Sequence, residues 1–191
     1  MNRHGTSWLR RLFEDDFVVL DTETTGLGSD AEVVDIGVVD RHGQILLESL
    51  VRPRSGHVPS GAARVHGLTM RHLQAAPTWP EVLPSLIRAV AGRRVLAWNA
   101  PFDRRMLEQS SRAWDLRPLP IPFECAMHRY ALSCGVRSGR YGLERAASRE
   151  GVLSDRQQHR SVGDARLTLA VLKSIFEKAA KYPSSPYNQD I

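Results

Sequence analysis

Asp21 and Glu23 stand two residues apart at the end of an apolar run, "VVLDTETTGL" (18–27). Side chains along a strand alternate with a period of two, so both carboxylates point to one side. Two acids held that close cannot both stay ionised cheaply without a counter-charge. Oxygen-only ligands with no cysteine nearby suit a hard cation such as Mg2+ or Mn2+. A lone D-x-E also has an ordinary reading, as solvated acids at a strand mouth with the Asp serving the turn.

Two further segments carry groups of the same kind. "WNAPFD" places Asp103 in the first turn of a helix, just past a second apolar strand. If the two strands are parallel neighbours, their carboxyl ends open on one crevice, where ligands of open α/β sheets bind. An acid in a first helical turn also favours the macrodipole by ~0.3–1 kcal/mol with no ligand at all. "HRSVGDARLTLAVL" contains Ser161-x-x-Asp164, a capping-box-like pattern with Asp in place of Glu. That pattern explains Asp164 but not His159, in the loop before the helix. A loop histidine beside an acid is commonly just solvated. A neutral imidazole near a cation-bound water is also what proton abstraction near pH 7 requires.

The elements that must position these groups follow from pattern and punctuation. Residues 17–21 read as a strand, followed by the turn "TTGLGSD". "EVVDIGVVD" (32–40) and "QILLESLVRP" (44–53) read as an antiparallel pair joined by "RHG". "VPSGAARVHGLT" reads as a short helix ending at Gly67. Thr78 with Glu81 marks the start of a helix stopped by Gly92. "RVLAWNA" (94–100) is a short strand, "PFDRRMLEQSSRAW" a helix with Pro at its start, and "IPFEC" a last strand. Helices fill 124–134, 141–150 and 161–179. A leading three-stranded meander followed by alternating helices and strands implies an α/β fold, a mixed sheet flanked by helices. The expected division is an N-terminal segment (1–16), one catalytic domain (17–180) and a flexible tail (181–191).

"LDTETTGL", "VHGLT", "AWNAPFD" and "HRSVGDARLT", in this order, resemble the motifs of the DnaQ-like DEDDh 3′→5′ exonucleases. This family has a ribonuclease-H-like fold, here with five strands, and includes polymerase proofreading subunits. The resemblance covers about 17–178, and the histidine stands five residues before the last Asp, as in the DEDDh branch. In the tyrosine-containing branch a Tyr would stand where this chain has Arg160. The resemblance implies two divalent ions, Mg2+ or Mn2+, held by Asp21, Glu23, Asp103 and Asp164, with His159 as general base. Asp21 would bridge the ions; Glu23 and Asp164 would complete the site that holds the attacking water, and Asp103 would serve the other ion. A nucleoside monophosphate would leave.

The same resemblance implies substrate contacts from the backbone around Glu23 and Thr24, from Leu27 as a wedge against the terminal base, and from His66 beside the sugar or phosphate. Core packing is an equal reading for Leu27, and a helix-end dipole contact an alternative for His66. Phe102 could stack on a base or pack in the core. The chain departs from the family at Trp98, where many members have His, and at Gly61, where proofreading subunits often carry Glu. Both departures bear on the choice of 3′ end.

Composition bounds the rest. At 191 residues one domain with a sizeable core is expected, burying roughly 70% of the unfolded surface. No apolar run reaches the ~20 residues of a membrane span, and the start is unfit for secretion, so a cytoplasmic protein is expected. Cys125 and Cys134 are too few for a zinc ribbon and read as reduced and structural. Net charge is +5, almost all of it from arginine, since lysine occurs only as Lys173, Lys178 and Lys181. Arginine forks suit phosphate oxygens, and a coding bias toward arginine would look the same. Seven arginines between 136 and 166 could flank a groove or form a solvated face.

The expected activity is a metal-dependent 3′→5′ exonuclease on single-stranded or frayed DNA ends. An RNA-trimming exonuclease of the same family is the rival, and a catalytically silent nucleic-acid-binding module the alternative of another class. A phosphatase or endonuclease using similar metals would differ in its products. A DNA polymerase or repair complex is a partner the resemblance allows, although no clamp-binding peptide is evident.

Overall fold

The computed structural model describes residues 5–136, 139–152 and 159–181. In chain order the elements are α1 (Gly5–Glu14), β1 (Phe17–Thr24), β2 (Val33–Asp40), β3 (Ile45–Leu50), α2 (Ser60–His66), α3 (Met70–Leu73) and α4 (Trp79–Val90). They continue with β4 (Arg94–Ala97), α5 (Ala100–Ala113), β5 (Phe123–Cys125), α6 (Ala126–Ser133), α7 (Leu143–Glu150) and α8 (Ser161–Lys181). The expected tail beyond 181, Arg137 and Arg156 lie outside the described residues.

One five-stranded sheet runs in the order β3-β2-β1-β4-β5. β1, β2 and β3 form the expected antiparallel meander, while β4 lies parallel to both β1 and β5. The condition set by the sequence is therefore met: the carboxyl ends of β1 and β4 are neighbours, with Val19 opposite Leu96. Central β1 is buried on both faces, which is why its first half reads as unbroken apolar residues rather than an alternation.

The two faces sort by period. Phe17 and Val19 pack with α1, α6, α7 and α8, whereas Val18 and Leu20 pack with α4 and α5. On β2, Val39 belongs to the first set and Ile36 and Val38 to the second. Continuing the alternation sends Asp21 and Glu23 toward α8 and Thr22 toward α5.

Helix boundaries follow the local chemistry. Gly67 closes α2 with φ 75°, and Thr78 and Glu81 form the capping box at α4. The capping box expected at α8 does not form. Ser161 Oγ is buried without a partner, and the Asp164 carboxylate turns instead to His159. Helix α1 was not foreseen. Leu9 and Leu12 bury its inner face, and Phe13 packs on Phe17 and Phe176. The strand at 94–100 is also shorter than expected, because Ala100 already begins α5. No helix of the described residues is long and apolar enough to cross a membrane.

Gly37 is where β2 meets the start of α8. A Cβ there would stand 2.6 Å from Val162 N and 2.7 Å from the Ser161 carbonyl carbon, both backbone atoms that cannot move aside alone. Gly37→Ala should therefore cost about 1–3 kcal/mol, by overpacking. At roughly 2–4 °C per kcal/mol for a chain of this size, the melting temperature should drop by several degrees. An unchanged thermal transition by circular dichroism would disprove the contact.

Candidate active site

Asp21, Glu23, Asp103, His159 and Asp164 line one crevice of about 580 Å³ at the carboxyl ends of β1 and β4. Three elements deliver them. β1 projects Asp21 and Glu23 toward α8, whose first turn carries Asp164. α5 begins at the end of β4 and brings Asp103 in from the other side, where Thr22 Oγ1 donates to its Oδ1 at 2.9 Å. Asp103 is 3% exposed, far more deeply placed than an acid that merely complements a helix dipole. Thr22, the middle residue of the D-x-E, went unnoticed in the sequence; its partner follows from the period of β1.

The site is short of positive charge. Burial raises the pKa of Asp21 well above the usual carboxylate range, and the charges of Asp103, Asp164, Glu23 and Asp35 push the same way. Glu23 is pushed up to about 8, chiefly by burial and then by Asp164 and Asp35. Asp103 rises to about 7 through burial, in spite of the Thr22 hydrogen bond, and Asp164 is raised by burial against the pull of His159. Such a set has an unmet need for a cation. Ligand atoms of Glu23, His159 and Asp164 lie within 4.8 Å of one another, and all the carboxylate donors are hard oxygens, so the residues fit a Mg2+- or Mn2+-type ion.

His159 is held through Nδ1, and Nε2 faces a second carboxylate beyond hydrogen-bond reach. Nδ1 lies 3.2 Å from Asp164 Oδ2, and Nε2 lies 3.7 Å from Glu144 Oε1 at the start of α7. Trp98 helps place α7: its Nε1 donates to Tyr141 O at 2.8 Å, ahead of that helix. Neither Glu144 nor this tie was foreseen, since nothing local in the sequence joins them to the motifs.

Beside the crevice lies a second hollow of about 280 Å³, lined by Glu23, Thr24, Gly61, Leu27, His66 and Phe102 among others. Leu27 is 77% exposed, so the core reading fails for it. Phe102 is half-buried and borders both spaces. His66 is buried, and its two nitrogens are both taken. Leu68 N–H donates to Nδ1 at 3.1 Å, which leaves Nε2 to donate to Thr24 O at 3.2 Å. Burial lowers its pKa and keeps it neutral. His66 thus braces the Thr24 backbone, and the helix-dipole reading does not describe it.

Of the arginines between 136 and 166, Arg145 lines the crevice over the Tyr141 ring. Arg160 pairs with Asp35, and Arg166 donates to Gly43 O. Cys125 and Cys134 are both free thiols.

Comparison with known proteins shows the family and the fold. A family model described as "Exonuclease" matches residues 18–172. An exonuclease of Escherichia phage 186, CP81, named as uncharacterized, is 32% identical, with 94% of this chain and 96% of that protein covered. The PolC-type DNA polymerase III of Thermotoga maritima is also 32% identical over 86% of this chain, which spans only 12% of that polymerase. Among solved structures, Exonuclease X in complex with 5′ overhanging duplex DNA superposes with a TM-score of 0.64 and 23% identity, covering 90% of this chain and 96% of that one. The nuclease domain of 3′hExo, described as a DEDDh family member bound to rAMP, gives a TM-score of 0.69 at 16% identity, with 86% and 92% covered. With the family model spanning most of the chain, this chain belongs to the exonuclease family.

Proposed function

We propose that the protein removes nucleotides from single-stranded or frayed 3′ ends, of DNA in the first place, with two divalent cations held by Asp21, Glu23, Asp103 and Asp164. The observation that carries this reading is the crowding of those carboxylates, whose raised pKa values mark a site completed by cations. When bound, the ions would supply Lewis-acid charge at the phosphodiester and lower the pKa of the attacking water.

The chain's own groups divide the remaining work. Asp164 accepts the Nδ1 proton of His159, which fixes the tautomer and leaves Nε2 to take a proton. Leu27 stands clear of the protein at the mouth of the smaller hollow, placed to press on a terminal base. That hollow suits one nucleoside and not a duplex, in keeping with a substrate whose 3′ end is unpaired. DNA is preferred because Exonuclease X, covered almost throughout, was solved with DNA, and the polymerase III relative acts on it by name. The rAMP held by 3′hExo keeps RNA as the second substrate to be tested.

A timed digest of matched DNA and RNA single strands, labelled at the 3′ or the 5′ end, tests this with Mg2+ or Mn2+. Wild type should shorten strands stepwise from the 3′ end, with DNA faster. Asp103→Ala should be slower by at least about 100-fold, the upper end of losses for outer-shell partners of a metal site. Internal fragments, inorganic phosphate or an unimpaired variant would each refute the reading.

Leu27→Ala separates wedge from core. With the side chain exposed, stability should hold while the KM for single strands rises about tenfold, the loss of ~1.4 kcal/mol of apolar contact. A lowered melting temperature with unchanged KM would restore the packing role.

The acids also set a pH dependence. Glu23 and Asp103 titrate near 8 and 7 in the folded chain, against ordinary values of 4.5 and 3.8. Between those limits the folded state binds more protons than the unfolded one, so metal-free stability falls as pH rises. Melting temperature in EDTA should decline from about pH 5 to pH 8, and the increment from added Mn2+ should grow over the same window. A flat profile in both conditions would count against the cation site.

A further inference from the structure

Asp35 is a further buried carboxylate, beside this site rather than lining it, and belongs to none of the motifs. It is 1% exposed, sits opposite Glu23 in the β1–β2 register, and shares the α8-facing side of β2 with Gly37. Its Oδ2 receives Arg160 Nε at 2.8 Å and Ser161 N at 3.3 Å. Those two residues lie directly between His159 and Asp164. Two residues on, the bare Cα of Gly37 rests on the Ser161–Val162 backbone.

We infer that Asp35 is a positioning residue, fastening the His159–Asp164 segment to β2 through the Arg160 side chain and the Ser161 amide. The inference rests on the proposed role of His159 and Asp164. Without such a tie, burying one more acid beside Asp21 and Glu23 would only add repulsion, and its charge does push both upward. Arg160 offsets that cost, since its charge acts on Glu23 in the opposite sense. Asp35 Oδ1 and Ser161 Oγ are both buried without a hydrogen-bond partner, an acceptor and a donor on residues already joined through the Ser161 amide. The grip has two parts. Gly37 sets how close α8 comes to the sheet, and Asp35 with Arg160 sets the register and direction of the chain entering it.

The test uses Asp35→Asn, Arg160→Gln and the double variant in the full-length chain. At saturating substrate and Mn2+, each single variant should lose roughly 10- to 100-fold in kcat, with KM changed by less than about threefold. The double variant should be little worse than either single, because one clasp is broken in all three. Mn2+ binding by titration calorimetry supplies a readout independent of turnover. Removing the Arg160 charge beside Glu23 would tighten cation binding if only charge mattered; loss of positioning weakens it. Weaker Mn2+ binding by Arg160→Gln supports the clasp, and tighter or unchanged binding overturns it. Full kcat with a lowered melting temperature would make Asp35 structural only, which also overturns it. Should wild type release no nucleotides, the functional reading fails, and the Mn2+ titration still decides the clasp.

Discussion

Asp21 lies within Coulombic reach of Asp103, Asp164, Glu23 and Asp35, in a place where burial already disfavours its charge. No folding chain gathers such a group for stability, because each desolvated acid costs free energy until a cation or a proton answers it. The stability to hold it has to come from elsewhere. β1 carries its charged end on a fully buried segment: Phe17, Val18, Val19 and Leu20 are wholly buried, with α8 on one face and α5 on the other. The apolar half of the strand fixes where the acidic half must stand.

The same strand explains how distant segments meet. Its period of two gives Asp21 and Glu23 to α8 and Thr22 to α5, so neighbouring residues recruit different helices to one crevice. The parallel β1–β4 pair then brings the start of α5 to the same edge. Antiparallel β2 adds the third support, with Gly37 and Asp35 both facing α8. A site built from the ends of packed elements is held more tightly than one built on loops, and only His159 sits on a loop here.

Much of this was legible in the sequence because the informative signals were local: an apolar run into D-x-E, a Pro at a helix start, a Gly at a helix end. The antiparallel meander and most of the helices followed from such marks, while the parallel pairing of β1 and β4 stood in the sequence only as a condition, which the structure meets. Asp35 escaped notice because an acid inside "EVVDIGVVD" has no local signature; its meaning lies in Arg160, 125 residues away. Helix α1 carries Trp8, Leu9, Leu12 and Phe13 at helical spacing, but over only ten residues set among arginines and acids, and its partner Phe176 lies far along the chain. At Ser161 the pattern misled: a capping box was a reasonable reading, but the Asp164 carboxylate is needed by His159, and a tertiary partner outweighed the local one. For Leu27 no pattern could decide between core and surface, because both accept a leucine.

The smaller hollow bears on what kind of substrate end the site can recognise. Two of its polar side chains are occupied within the protein: His66 uses both nitrogens, and Thr24 Oγ1 donates to Gly26 O at 2.7 Å. What remains toward a ligand is the Glu23 carboxylate, with Leu27, Val65, Phe102 and the nearly bare surface of Gly61 and Ala62. Apolar surface of this kind sorts ligands by shape and stacking, and a missing or extra hydroxyl changes affinity little unless a buried partner is left waiting for it. In the proposed role, such a lining leaves recognition of the sugar to the Glu23 carboxylate and to the backbone around Glu23 and Thr24. His66 governs that backbone by bracing the Thr24 carbonyl. Where that backbone holds the 3′ end, as proposed, a buried histidine bears on which ends fit by bracing it.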